Sequence, residues 1–304
     1  MRTVFAITIS CLLLACGGVR AANPAAPAEE KLSFLFFSDT QADPETGDYS
    51  DVGGLITQAV SQAKPSLVIF GGDTVNNGAD PDEWQAFWKF AATPLSGVTT
   101  AAVPGNHDDC ALLAEQFNYP ASAPANPRGG YGGYFYSFDA GPVHFIMLDS
   151  NSMGAANQAD IDWLRDDLTG DSARQASWRI VVMHHPMWPP VNILKDVQRA
   201  DTMREAFLPL LEEYGADLIL CGHQHIYARS LPMRGGGAAP DGDGIIQIMT
   251  ASGGKEQYTV SETDNIAVFG ETPAYLAITA DSLRLDITAS DTNGEPFDTI
   301  SLTR

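Results

Sequence analysis

The sequence has few basic residues. It carries 17 Lys and Arg against 38 Asp and Glu, which gives a formal net charge of −21 at pH 7. The basic side chains are scattered singly, so no cluster is available to neutralise the phosphates of a nucleic acid. We therefore expect no nucleic-acid partner. A small phosphorylated substrate would need a local positive centre, which bound metal ions can supply.

The sequence also lacks an N-terminal apolar run long enough to cross a membrane. The run from Val4 to Leu14 has about 11 residues, whereas a spanning helix needs about 20. Residues 1–16 are instead typical of a signal peptide ending in a bacterial lipobox, Leu13-Leu14-Ala15-Cys16-Gly17, in which Cys16 receives the lipid. The competing interpretation is soluble secretion after cleavage near residue 21. Residues 17–30, rich in Ala, Gly and Pro, are expected to form a flexible tether.

These features predict an exported protein. We expect a periplasmic or cell-envelope lipoprotein, or alternatively a secreted protein. It would meet the membrane only through the lipid anchor on Cys16.

Cysteine is scarce as well, with four residues in the chain. Cys11 and Cys16 belong to the N-terminal segment, which leaves Cys110 and Cys221, each next to a histidine motif. An oxidising compartment permits a disulfide, but sequence spacing does not show that the two Cα atoms come close enough. We expect two buried thiols.

Apolar runs alternate with helix-like segments in residues 31–304, which we interpret as one domain. The strand-like runs are 32–37, 67–70, 99–103, 134–137, 143–148, 178–183, 218–220, 245–250, 275–280 and 283–289. Helices are predicted at 52–63, 81–90 and 159–168, and after Asp201, with a kink or restart at Pro209. Residues 118–133, rich in Pro, Gly and Asn, are predicted to be a functional loop. The pattern indicates an α/β fold with two packed sheets and helices outside.

Polar side chains with metal-binding chemistry follow the apolar runs. Five of the six histidines lie in three short motifs, GNHDD, VVMHHP and CGHQH, and two aspartates lie in FFSDTQ and FGGDTVNNG. Imidazole nitrogens with carboxylate and amide oxygens are the donors that a pair of borderline to hard divalent ions requires. His144, in the middle of a strand, is the histidine that we interpret as structural. The chain therefore looks like a two-metal phosphoester hydrolase.

These motifs resemble those of the calcineurin-like metallophosphoesterase superfamily, in residues 33–227 and in the family's order. GHQHIYAR and QADIDWLRDDL are similar to segments of its purple acid phosphatase branch. The resemblance implies a four-layer α/β/β/α sandwich with two divalent ions, of which Mn, Fe, Zn and Co are the candidates. It assigns the first ion Asp39, Asp73 and His225, with Asp73 bridging to a second ion that adds Asn106, His184 and His223. His107 would contact the phosphoryl group and assist the leaving oxygen. Asn106 and His185 are further candidates for substrate binding.

Two positions depart from the family pattern. Gln41 replaces the histidine of the first motif, and an amide oxygen is a weaker ligand than imidazole; relatives resembling Mn-dependent ADP-ribose/CDP-alcohol diphosphatases share this glutamine. Asn76 stands where purple acid phosphatases have a tyrosine, so we expect no tyrosinate-ligated ferric ion. Asp108 or Asp109 is expected to orient His107, and His185 to make a hydrogen bond that supports the ligands or to reach the substrate.

The expected activity is hydrolysis of phosphomonoesters or small phosphodiesters. Two divalent ions about 3.5–4 Å apart would lower the pKa of a bridging water and provide a hydroxide nucleophile. The alternatives are a diphosphatase acting on nucleotide-type pyrophosphate bonds, indicated by Gln41, and a degenerate metal-binding module without turnover. Specificity is expected to depend on the loops 41–51, 118–133 and 186–197.

Overall fold

A computed structural model describes residues 31–119, 135–261 and 264–304. The predicted signal peptide (1–16), the predicted tether (17–30) and most of the loop predicted at 118–133 lie outside these ranges. In the described part, no helix is both long and apolar enough to cross a membrane.

The described ranges contain 15 strands and 8 helices. The strands are β1 (Leu32–Phe37), β2 (Leu67–Phe70), β3 (Thr99–Ala102), β4 (Tyr136–Ala140), β5 (Val143–Met147), β6 (Trp178–Val182), β7 (Leu218–Cys221), β8 (Tyr227–Ser230), β9 (Met233–Arg234), β10 (Gly237–Ala238), β11 (Ile246–Met249), β12 (Ile266–Gly270), β13 (Ala274–Ala280), β14 (Arg284–Asp291) and β15 (Pro296–Thr303). The helices are α1 (Ser50–Ala63), α2 (Pro81–Ala91), α3 (Cys110–Gln116), α4 (Ser150–Met153), α5 (Gln158–Thr169), α6 (Asp171–Gln175), α7 (Leu194–Ala206) and α8 (Leu208–Glu213).

Two large sheets each contain a set of parallel strands, as is typical of α/β proteins. The first has six strands in the order β15-β14-β13-β1-β2-β3, and β1, β2 and β3 are parallel. The second has seven strands in the order β12-β8-β11-β7-β6-β5-β4, and β11, β7, β6 and β5 are parallel. Strands β9 and β10 form a separate small hairpin. Because ligands bind at the carboxyl ends of parallel strands, these two sets of strands indicate where the site lies.

Alternate residues of β1 face two different layers. The Phe34 ring packs edge-on against Phe145 of the second sheet, with ring centroids 5.2 Å apart. Phe37, which points the other way, stacks on Phe70, and Phe70 contacts Phe87 of α2. This alternation explains why β1 is apolar at nearly every position, since a strand buried on both faces has no polar side.

The outer face of the second sheet packs on the other helices. Val181 and Ile219 of that sheet share a buried cluster with Leu164 of α5, Met203 of α7 and Leu211 of α8. The layers are therefore helices α1 and α2, the first sheet, the second sheet, and helices α5, α7 and α8. The predicted four-layer α/β/β/α sandwich is confirmed.

Most of the predicted elements are confirmed within a few residues, but the start of one helix was wrong and some elements were not predicted. The helix predicted to begin at Asp201 begins at Leu194, because its buried residues include Asp196 and Ala200, which give no apolar period. Pro209 does restart the chain as α8. The edge strands β12 and β15 were not anticipated, since both are largely exposed. Within the described residues, Cys110 and Cys221 form no disulfide; Cys221 is buried as expected, whereas Cys110 is only half-buried.

Candidate metal centre

The carboxyl ends of the parallel strands of both sheets meet at one place. Asp39 and Asp73 follow β1 and β2 of the first sheet, and His184 follows β6 of the second. One ligand atom from each of these three buried residues lies within 4.8 Å of the other two. His225, which follows β7, has its Nε2 3.6 Å from an Asp39 carboxylate oxygen. Residues up to 186 positions apart in sequence thus form one cluster.

The backbone at the cluster is strained. Asp39, Asp73 and His223 have positive φ angles of 49°, 50° and 79°, a region that non-glycine residues rarely adopt. Such strain, of about 1–3 kcal/mol per residue, persists only where the surroundings enforce it, and it concentrates at functional sites. Here the turns aim both carboxylates away from their strands and toward the second sheet.

Two glycines make the close approach of these turns possible. A Cβ on Gly105 would lie 2.1 Å from the Asp73 carboxylate, and a Cβ on Gly222 would lie 2.1 Å from that of Asp39. Any side chain at either position would therefore displace a candidate ligand. This explains the glycine in both the GNH and the GHQH motif.

His184 presents its Nε2 to the cluster. Its Nδ1 donates to the Gly71 carbonyl at 2.9 Å, so Nε2 is the nitrogen that faces the carboxylates. This Nε2 lies 3.3 Å from Asp73 and is buried without a hydrogen-bond partner among the described residues. Burial alone lowers the pKa of His184, but the carboxylates of Asp73 and Asp39 outweigh it and raise this pKa to about 10. The cluster therefore stabilises a positive charge at a position that a cation suits.

His225 is held from the opposite side by the loop after β11. Its Nδ1 lies 3.1 Å from the Glu256 carbonyl, so it donates there and leaves Nε2 toward Asp39. The Tyr258 ring stacks on the imidazole, with centroids 5.1 Å apart and an interplanar angle of 29°. His223 is placed by its own backbone, whose N–H donates to the Asp39 carboxylate at 2.9 Å.

The side chain of Gln41 is fully buried beside the cluster strands. Its amide nitrogen donates weakly to the Val75 carbonyl at 3.4 Å, and its Oε1 has no hydrogen-bond partner in the described ranges. A buried amide oxygen without a donor is costly in an otherwise complete structure. The site therefore fits bound metal ions, since this oxygen and His184 Nε2 are both buried acceptors without a donor in the described ranges.

The loop after β3 carries Asn106 and His107, which are both exposed. The His107 backbone N–H donates to Asp73 at 2.7 Å, which keeps this turn against the cluster. The ring Nδ1 lies 2.8 Å from the Asn76 carbonyl. The Asn76 carbonyl, rather than a carboxylate of Asp108 or Asp109, therefore orients the His107 ring, and that expectation is corrected.

Asp108 and Asp109 support the backbone instead. Asp108 accepts from the backbone N–H of Asp73 at 2.7 Å and of Gly105 at 2.9 Å, and it thereby ties two ligand turns together. Burial, with the nearby charge of Asp73, raises the pKa of Asp108 to about 7. Asp109 accepts from two backbone N–H groups and caps α3.

His185 is buried behind the cluster. Its Nδ1 lies 2.8 Å from the Ser150 hydroxyl, and its ring centroid lies 4.2 Å from that of His223. Burial, together with the charges of His184 and His223, lowers the pKa of His185 well below its ordinary value, which favours a neutral ring.

Three residues that contact the histidines of the cluster were not predicted from the sequence. They are Ser150 at His185, Tyr258 at His225, and Asp196, whose carboxylate lies 3.1 Å from His223 Nε2. Asp196 and Tyr258 follow no apolar strand, so strand-end reasoning had no signal for them. Only the motif blocks were visible in the sequence, and the residues that support them were not.

Comparison with known proteins agrees with this geometry. The model of the calcineurin-like phosphoesterase family matches residues 32–227, more than half of the chain. Purple acid phosphatase 23 of Arabidopsis thaliana is 30% identical over 154 residues, which cover 48% of this chain and 32% of that protein. The chain thus spans about a third of the length of that relative.

Two solved structures share the fold. The purple acid phosphatase PPD1 from yellow lupin (Lupinus luteus) seeds gives a TM-score of 0.76 at 16% identity, over 91% of this chain and 54% of that one. GAP50, described as the anchor in the inner membrane complex of Plasmodium, gives 0.69 at 16% identity, over 90% of this chain and 89% of that one. Identities this low show the fold alone.

Proposed function

The chain belongs to the calcineurin-like phosphoesterase family, and from this premise we propose that it is a metal-dependent hydrolase of phosphoric esters. The observation that carries the proposal is the approach of Asp39, Asp73 and His184, whose ligand atoms lie within 4.8 Å of one another. These residues come from both sheets, so the sandwich itself assembles the cluster.

The proposed centre holds two divalent ions. Asp39, Gln41, Asp73 and His225 would hold the first, and Asp73, Asn106, His184 and His223 the second. Among the described residues, Gln41 Oε1 has no hydrogen-bond partner, which supports the first assignment, and neither has His184 Nε2, which supports the second. When bound, such a pair supplies an activated water and neutralises charge on the phosphoryl oxygens. Mn, Fe, Zn and Co all suit this mixed oxygen and nitrogen donor set.

The chain's own residues complete the proposed chemistry. Because Nδ1 contacts the Asn76 carbonyl, the exposed His107 ring has Nε2 left for a substrate. This nitrogen can hydrogen-bond a phosphoryl oxygen and protonate the leaving group, a contribution of about 10²–10⁴ in rate. Asp108 keeps the turns of Asp73 and Gly105 together. Its proposed role is therefore to position these turns, and it takes no part in the reaction itself. His185, bonded to Ser150, would support the His223 ring or contact the substrate.

The proposed substrates are phosphomonoesters or small phosphodiesters. A nucleotide-type diphosphatase is the second candidate, because the buried oxygen of Gln41 supports a glutamine ligand at the first ion. A non-catalytic module is the third, since GAP50 has this fold and is described as an anchor.

A membrane role for this chain would rest on its N-terminus, where we propose export and lipidation of Cys16. A Cys16→Ala variant should then move from the membrane fraction to the soluble fraction.

The test is a panel of three substrates with the metal-stripped protein, reconstituted separately with Mn²⁺, Zn²⁺, Fe²⁺ and Co²⁺. We expect turnover of p-nitrophenyl phosphate or bis(p-nitrophenyl) phosphate that depends on added metal. A kcat/KM that is highest for ADP-ribose would favour the diphosphatase. Absence of turnover with every metal and substrate, while metal still binds, would favour the non-catalytic module.

A further inference from the structure

His223 is fixed by a carboxylate from outside the motif blocks. Its Nε2 lies 3.1 Å from one oxygen of Asp196, in the first turn of α7. Asp196 is itself 5% exposed, so this contact is shielded from water. Because an ionised carboxylate only accepts hydrogen bonds, the proton of the ring must be on Nε2. The Nδ1 of His223 then keeps its lone pair.

The second oxygen of Asp196 is held equally firmly. Gln224 donates from Nε2 to this oxygen at 2.8 Å and to the Val191 carbonyl at 3.0 Å. The Gln224 carbonyl oxygen accepts from the Val191 N–H at 2.9 Å, which fixes the orientation of the amide. Asp196 is therefore the shared acceptor of two donors from adjacent residues of the GHQH motif.

We propose that Asp196 is a positioning residue that holds His223 with Nε2 protonated and Nδ1 directed to the metal pair. A hydrogen bond from a ligand histidine to a carboxylate fixes the ring orientation and raises the basicity of the ligand. Gln224 has a role in the same arrangement, since it orients the Asp196 carboxylate, which in turn orients the His223 ring. The proposal rests on the metal-binding part of the proposed function and not on ester hydrolysis.

The arrangement also connects a loop to the centre. Val191 lies in the loop 186–197, which was expected to affect specificity, and Asp196 lies in the first turn of α7, where this segment becomes helical. Hydrogen bonds that run from Val191 through Gln224 and Asp196 to His223 thus connect this loop to a proposed metal ligand. We therefore expect the ordering of this loop and the binding of the second ion to be coupled.

Asp196→Asn tests the proposal with little change in shape. An asparagine has one acceptor oxygen and one donor amide, so it cannot accept from both His223 and Gln224. Gln224 cannot rotate to compensate, because both ends of its amide bond to Val191. We expect the affinity for one of two Mn²⁺ ions to fall about 10–100-fold, as changes in such partners typically do. The other ion should bind as in the wild type.

The measurements are Mn²⁺ titration of the metal-stripped protein by calorimetry and the tautomer of His223 by NMR of ¹⁵N-histidine. The NMR experiment uses Zn²⁺-loaded protein, because Zn²⁺ is diamagnetic. Asp201→Asn is the matched control on the same helix, since the Asp201 side chain is 63% exposed. Thermal denaturation of each variant separates a local effect from unfolding. An Asp196→Asn protein that is folded and binds both ions with wild-type affinity would overturn the proposal, as would a wild-type His223 protonated on Nδ1.

Ester hydrolysis is scored separately. If the wild type hydrolyses no substrate but Asp196→Asn still loses one ion, the positioning role stands and the proposed activity fails. If the wild type binds no metal, the positioning role fails with the centre itself.

Discussion

Two regions of the molecule combine buried histidines with carboxylates, and they differ in how the ring nitrogens are used. At the metal centre, His184 and His225 each give one nitrogen to a backbone carbonyl, at 2.9 and 3.1 Å. Their other nitrogens face Asp73 and Asp39 at 3.3 and 3.6 Å, and that of His184 makes no hydrogen bond within the described ranges. Each ring is oriented at one end and open at the other.

His144, between the sheet and α5, is saturated instead. Its Nδ1 lies 2.6 Å from Asp139 and its Nε2 lies 3.0 Å from Asp167. Ser137 and Ser172 bond the remaining oxygens of the two carboxylates. Because both nitrogens have short contacts with carboxylates, the ring is a charged structural link with no lone pair for a metal. The number of open nitrogens, rather than burial or nearby acids, distinguishes a candidate ligand from a structural histidine.

The largest effect is expected from Asp73→Ala, which removes the carboxylate proposed to touch both ions. We expect metal content to fall from two ions toward none and kcat/KM to fall by at least about 10³-fold, more than a single oxyanion-hole donor contributes. Metal analysis of the purified protein and p-nitrophenyl phosphate kinetics measure the two effects. Asp162→Ala is the control, because its side chain is 55% exposed on α5. An Asp73→Ala protein that keeps metal and activity would contradict the proposed centre.

The next effect is expected from His107→Asn, which should spare metal binding. The His107 backbone rather than its ring contacts Asp73, so the ligand turn remains. Loss of the proposed proton donor should lower kcat about 10²–10⁴-fold for alkyl phosphates. The loss should be smaller for p-nitrophenyl phosphate, whose leaving group needs little protonation.

Comparison of the two substrates at matched metal content is the measurement. An equal loss for both would contradict leaving-group protonation and favour a contact with the phosphoryl oxygens.

The sequence allowed the fold and the candidate ligands to be predicted for the same reason. A strand buried on both faces is a near-continuous apolar run, and its end is marked by the polar residues that follow it, as at Ser38-Asp39 and at His184. The supporting residues could not be predicted in this way. Asp196 lies in a helix without apolar periodicity, and the Glu256 carbonyl contributes backbone, whose position depends on the loop conformation.

Asp108 shows a second limit of prediction from the sequence, because its role was predicted wrongly rather than missed. Its position next to His107 suggested a side-chain pair, but its carboxylate turns back to the amides of Asp73 and Gly105. Adjacent residues in a tight turn point in different directions, and the direction is not evident from the order of residues. Only the packed turns determine it.

The smallest effect on activity is expected from His144→Asn, which changes stability instead. Burial alone lowers the pKa of His144, but its bonds to Asp167 and Asp139 outweigh this and raise the pKa. A raised folded pKa gives stability that is fully present below the unfolded pKa of about 6.5 and is lost as the pH rises through the folded value. The variant should therefore cost about 1–3 kcal/mol of unfolding free energy near pH 6. Its cost should shrink at higher pH.

Urea denaturation of wild type and variant between pH 5.5 and 9, at one saturating Mn²⁺ concentration, measures this difference. Subtracting the two curves removes the pH dependence that both proteins share, including that of the metal ligands. His107→Asn is the control, since it removes an exposed imidazole and should give a small difference at every pH. A cost for His144→Asn that did not vary with pH would mean that the ring is held by packing rather than by charge. A loss of Mn²⁺ in this variant would erase the distinction between saturated and open histidines, because His144 would then belong to the metal centre.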